Sequence, residues 1–180
     1  IFMGQTGLGR IVGISPDLEH VYMPAYVGES SNEMPPFNLM KVKLERRPKP
    51  RTHSIGNNSV SDYFVDAKGE PYVREKYDNR SNKHSVEVNR DDEWVEIFAE
   101  TVPYRYKSFV GLTPDRQSLV MLTSGKNGRD SYYTMSLKNG EISAPIFSRD
   151  DADVERVISD VNRIVAGVRY SGFKPSYSFF

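Results

Sequence analysis

The 180-residue sequence contains no cysteine. Disulfides, thiolate nucleophiles and cysteine-based zinc sites are thereby excluded, and the compartment is left open between reducing and oxidising. No apolar run approaches the ~18 residues that a membrane-crossing helix needs, and no segment has the pattern of a secretory leader. An excess of one charge is also missing, with 24 Lys and Arg against 24 Asp and Glu. No net field therefore draws the chain to nucleic acid or to an anionic membrane, and neither is expected as a partner. The chain opens on Ile1-Phe2 without an initiator Met and reads as a segment of a longer protein.

What is present points to strands. Aromatic residues make up 12% of the chain, with 11 Tyr and 9 Phe, and such rings pack well on a pleated surface. The 13 Gly and 11 Pro are spread along the sequence, which fits many short elements separated by turns. A weak internal repeat organises them. Four segments share apolar residues, an Asp-bearing turn and then a β-rich run, with the aspartates at Asp17, Asp66, Asp115 and Asp160. Their intervals of 49, 49 and 45 residues fall in the range of a four-stranded propeller blade, roughly 40–50 residues. Asp suits such a turn because its carboxylate accepts backbone N–H groups two residues on.

The repeat predicts an all-β fold: a partial β-propeller of about four antiparallel blades, the last incomplete. It is read as a single propeller segment, with units at 1–57, 58–102, 103–149 and 150–180. Within them, strands A to D are predicted near 8–14, 20–27, 37–45 and 51–56; near 60–66, 71–78, 83–89 and 94–99; near 107–112, 118–123, 131–137 and 142–147; and near 155–159, 163–170 and 174–180. Lys138-Asn139-Gly140 is the strongest hairpin signal. Asp150 to Ile158 could open a helix on an Asp cap, but the following β-branched residues and the strand the repeat needs here limit it to at most one turn.

Candidate chemistry is sparse. Gly4, Gly7 and Gly9 lack the spacing of a dinucleotide or phosphate loop and lead into a strand. No G-x-S-x-G nucleophile elbow occurs. His20, His53 and His84 fall in three different units, His20 and His84 at strand starts and His53 within a D strand, and are read as structural. Asp150, Asp151, Asp153 and Glu155 offer oxygens of the kind a hard cation takes, without calcium-loop spacing, and read as a solvated loop. Asp130 and Asp153 are conceivable as a glycosidase pair, which needs carboxylates roughly 5–9.5 Å apart, but nothing in the sequence pairs them. Lys41, Lys43, Arg46, Arg47, Lys49 and Arg51 form a local basic run. Lys41 and Lys43 share one strand face, as on an outer or edge strand kept soluble by charge. The polar B–C connections at 28–36, 78–83, 124–130 and 171–175 are expected on one rim, where propellers commonly bind. No catalytic, cofactor-binding or metal-binding residue is assigned, and no cofactor is expected.

Several stretches, in this order, resemble the propeller region of bacterial prolyl-oligopeptidase-family serine peptidases. They are Val21 to Glu29, Met34 to Leu39, Trp94 to Ile97, Gly111-Leu-Thr-Pro-Asp115, Gly128 to Asp130 with Tyr133 to Ser136, and Asp151 to Glu155 through Gly167 to Pro175. The resemblance implies a propeller capping a downstream α/β-hydrolase domain that carries a Ser-Asp-His triad and cleaves peptides. None of the triad motifs matches a position here. It also implies export to a periplasmic or secreted location. The implied role is gating of peptide access. Its partners are the chain's own downstream hydrolase domain, the passing peptide and, through exposed blade edges, a second copy. A stand-alone binding or scaffold propeller is the alternative.

Overall fold

The computed structural model describes residues 10–27, 35–125 and 128–180. The described residues hold fourteen strands and no helix, arranged as four antiparallel sheets, as the all-β reading expects. The chain divides into two compact units, Ile1–Pro103 and Tyr104–Phe180.

The first unit carries two four-stranded meanders. One runs β1 (Gly13–Ile14), β2 (His20–Tyr26), β3 (Phe37–Lys43) and β4 (Arg51–Ser54), and the other β5 (Val60–Val65), β6 (Pro71–Asp78), β7 (Lys83–Arg90) and β8 (Glu93–Thr101). β1 is shorter than expected, although the Val12 N–H still bonds the Tyr22 carbonyl at 2.9 Å. Val12, Tyr22 and Leu39 of the first sheet pack against Val60, Tyr63 and Val65 of the second. Polar contacts fix that packing. The Tyr63 hydroxyl donates to the Phe37 carbonyl at 2.9 Å, and Asn38 Oδ1 accepts from the Gly56 N–H at 2.9 Å. Burial pushes the Tyr63 phenol up to about 12, so it stays a donor.

The second unit carries β9 (Ser108–Leu112), β10 (Ser118–Ser124) and β11 (Asp130–Ser136), then β12 (Val154–Ser159), β13 (Val165–Tyr170) and β14 (Ser176–Phe179). A fourth strand near 142–147 is expected beside β11, but only two bridges form, Met135 to Ile142 and Tyr132 to Phe147. Pro145 lies between them and has no N–H to give the ladder. From Asp150, where the sequence allows at most one helical turn, no turn of helix forms. The segment bends and enters β12, whose Val154, Val157 and Ile158 pair with β13. Val120, Tyr132 and Phe147 pack with Val165, Val168 and Tyr170. Leu112 lies parallel to Ile164, with the Leu112 N–H on the Arg163 carbonyl at 2.8 Å.

Each meander opens with the same kind of turn, but the four aspartates are not equivalent in it. The residue that closes the turn is Ser15, Asp66, Thr113 or Asp160, whose N–H bonds the carbonyl of His20, Glu70, Ser118 or Ile164. These anchors stand 51, 47 and 47 residues apart. In the shorter turns an Asp does the capping alone: Asp66 Oδ1 accepts from Lys68 and Glu70 N–H groups at 2.8 Å each, and Asp160 Oδ1 from Ile164 at 2.8 Å. In the longer ones the work is divided. Ser15 Oγ accepts from His20 N–H at 2.9 Å while Asp17 takes the Glu19 N–H at 3.0 Å, and Thr113 with Asp115 does the same for Ser118 and Gln117. The Thr113 hydroxyl and the Gln117 N–H hold the Asp115 carboxyl below its usual range.

Three residues past each anchor the backbone takes a left-handed φ: 60° at Leu18, 86° at Gly69, 58° at Arg116 and 62° at Arg163. Such a conformation costs a side-chain-bearing residue about 1 kcal/mol. Glycine is demanded only at 69, where a Cβ would be driven into the Tyr22 phenol.

Candidate functional site

The histidines occupy three different environments. His84, on β7, is fully buried. Its row across the sheet runs Tyr77, His84, Glu100. Its Nδ1 lies 3.2 Å from Glu100 Oε1 and its Nε2 2.8 Å from Glu75 Oε1. Tyr77 and Phe98 meet the ring edge-on at centroid distances of 6.2 and 6.3 Å. His53, on β4, stacks on Tyr22 at 5.1 Å and places Nε2 2.9 Å from the Gly69 carbonyl, tying the first sheet to the opening turn of the second. His20 differs: it borders a cavity, and its Nδ1 is buried with no hydrogen-bond partner.

The opposite face of the second sheet carries a charge network. Glu87 Oε2 accepts from Arg74 Nε at 2.5 Å and Oε1 from Lys76 Nζ at 2.7 Å, and the Arg74 guanidinium lies 4.2 Å over the Trp94 ring. Burial alone would raise the Glu87 carboxyl; the two donated hydrogen bonds and both positive charges outweigh it and hold the group below its ordinary 4.5. A carboxyl lowered in the folded state stabilises the fold above its unfolded pKa, and that contribution disappears as pH falls through the folded value. Stability of the native chain is therefore expected to fall more steeply below pH 4.5 than that of Glu87→Gln. Urea midpoints measured across that range for both proteins check it, and parallel curves would refute it.

The acidic run is paired with arginines. Arg149 holds Asp151 through Nε at 2.8 Å and Nη2 at 2.6 Å, Arg129 lies 2.6 Å from Asp153, and Arg169 3.1 Å from Glu155. Asp130 accepts from Ser124 Oγ at 3.0 Å, so Asp130 and Asp153 have separate partners. Of the B–C connections, 78–83 is a tight hairpin closed on Asp78, which takes the Arg80 N–H at 2.9 Å and the Ser81 hydroxyl at 2.8 Å. Ser171 and Asp153 join through paired hydrogen bonds of 2.9 and 3.2 Å. Residues 28–34 and 126–127 of the other two connections, and the glycines at 4, 7 and 9, lie outside the described residues.

The basic run is where the structure departs most from expectation. β3 is no edge strand; it lies between β2 and β4, with Tyr22 opposite Lys41 on one side and Arg51 opposite Lys41 on the other. His20 pairs with Lys43 two residues along the same face. Together with Glu45 and Lys49 from the β3–β4 connection, these side chains line a cavity of about 380 Å³. Glu45 lies 3.8 Å from Lys43. Among the described residues, Lys41, Lys49 and Arg51 have no carboxylate within ion-pair distance. Sequence reasoning named these cations but not their convergence, because Lys49 and Arg51 reach the face only through the reversal at residues 44–50. Asp17, Glu19 and His20 also bring ligand atoms within 4.8 Å of one another, but the Asp17 carboxylate is engaged by the Ser15 hydroxyl and the Glu19 N–H. No protein-family model and no curated protein matches this chain, and its functional reading rests on the sheets and side chains described above.

Proposed function

We propose that the chain is a non-catalytic segment of a β-propeller, capping a serine peptidase domain of the prolyl-oligopeptidase type and limiting which peptides reach it. The observation that carries this reading is the succession of four antiparallel meanders in chain order, each opened by an equivalent anchored turn. Consecutive blades of a propeller are such meanders. Within each unit, the opening turn of one sheet touches the sheet before it, which suits consecutive blades: Leu112 beside Ile164 in one, His53 on Gly69 in the other. Two polar connections are pinned by hydrogen bonds, 78–83 within itself and 171–175 to Asp153, which suits a role in restricting access rather than in supplying reactive groups. A propeller rim that restricts access excludes folded proteins and bulk water from a site beneath it.

The test is made on the longer protein containing this segment. A fluorophosphonate probe is expected to label one serine beyond Phe180 and none within the 180 residues, and the protein is expected to cleave short peptides while sparing folded proteins. A longer protein that is neither labelled nor active on peptides sinks the peptidase reading and favours a scaffold propeller.

A further inference from the structure

We propose that the cavity on the first sheet binds a small phosphorylated molecule through Lys41, Lys43, Lys49 and Arg51. This does not depend on the peptidase reading. The chain as a whole is neutral, yet four cations and one carboxylate share this one concavity. Lys41 and Arg51 are directly opposed across β3 and β4, where Cβ atoms stand roughly 4.5–5.5 Å apart and like charges destabilise a sheet. A multiply charged anion between them relieves that repulsion.

Three features make the cavity a site rather than a basic surface. Its volume of about 380 Å³ lies within the roughly 300–1,000 Å³ of small-molecule pockets. Its chemistry is mixed: Arg51 offers a planar fork for two oxygens, while the lysines act as movable point charges. Its framework is restricted, because Lys41 and Lys43 stand on an interior strand and Lys49 lies between Pro48 and Pro50, whose fixed φ limits the conformations open to that part of the connection. A single carboxylate would neutralise one cation. A phosphate group carries about −1.5 to −2 at neutral pH and matches the surplus better. His20, with its unpartnered Nδ1, adds a nitrogen to the wall.

Inorganic pyrophosphate titrated into the 180-residue chain at low ionic strength is the probe. Calorimetry is expected to show saturable one-to-one binding that raises the melting temperature and weakens as chloride is added. Lys41→Gln and Arg51→Gln are each expected to weaken binding about tenfold or more, while Lys174→Gln, outside the cavity, leaves it unchanged. Both cavity variants should melt without ligand at or above the native temperature, which separates lost affinity from lost structure. If Arg51→Gln does not fold, Lys49→Gln, on the irregular connection, carries the same reading. Three results would overturn the proposal: no saturation at millimolar pyrophosphate, equal weakening by Lys174→Gln, or tighter binding of a single-stranded oligonucleotide than of pyrophosphate.

Discussion

Replacing His84 by Leu is expected to cost about 3 kcal/mol of unfolding free energy, since it leaves carboxylate partners of a buried ring unsatisfied at about 1–3 kcal/mol each. The ring is fully buried and stands between two glutamates, at 2.8 Å from Glu75 and 3.2 Å from Glu100. Each ring nitrogen therefore has a carboxylate within hydrogen-bonding distance. Leucine fills much of the same volume but donates to neither, and it leaves two carboxylates facing an apolar group. The loss is electrostatic rather than a matter of packing, so Glu75→Gln combined with His84→Leu should recover part of it. Urea denaturation of native, single and double variants measures this. A loss below about 1 kcal/mol in the single variant, at the level of an ordinary hydrogen bond, would mean that the imidazole does not hold the two acids.

Gly111→Ala is the second large effect, expected at about 3 kcal/mol, at the upper end of what overpacking usually costs. Gly111 pairs with Val120 on β10, and its other side faces the opening turn of the next meander. A Cβ there would run into the Arg163 carbonyl and come within 2.7 Å of Val165 Cγ2. The carbonyl cannot easily yield, because it accepts the Leu112 N–H at 2.8 Å and belongs to a residue with φ of 62°. The buried Arg163 side chain is tied to the same strand, its Nη2 donating to the Phe109 carbonyl at 3.0 Å. Thermal unfolding of Gly111→Ala should therefore show loss of the contact between β9 and the β12–β13 turn, read out as faster amide exchange at Leu112. An unchanged melting temperature with normal protection at Leu112 would refute the account.

Some of the architecture could be read from the sequence because it is local chemistry. Parsing the repeat into strands placed β6, β7 and β8 within about two residues of their observed limits. Gly140 does reverse the chain after β11, with φ of 73° and its N–H on the Ser136 carbonyl at 2.8 Å. The opening turns were legible as turns but not in their alignment. Ser15 and Thr113 stand where Asp66 and Asp160 stand, and a hydroxyl can take over from a carboxylate as the anchor when an Asp two residues later takes the remaining N–H. Counting aspartates therefore gave intervals of 49, 49 and 45 in place of 51, 47 and 47.

Other features were out of reach for a reason of distance. Glu75, His84 and Glu100 are separated by 9 and 16 residues and meet only because two hairpins set their register. A shift of one residue would send His84 to the opposite face. The Lys41–Arg51 opposition likewise depends on a bulge between Leu39 and Met40 in the β3–β4 pairing. The proline at 145 is visible in the sequence and has no N–H to give a ladder, and only two bridges form beside β11.

By itself, then, the sequence determined the all-β class, the meander and the anchored turns, since these follow from side-chain alternation and from bonds spanning at most five residues. Only the tertiary structure decided which charges were buried together, which strand lay inside its sheet, and that four cations would share one cavity. Those outcomes depend on register and on sheet-to-sheet packing, where the energy lies in contacts between residues that the chain itself keeps far apart.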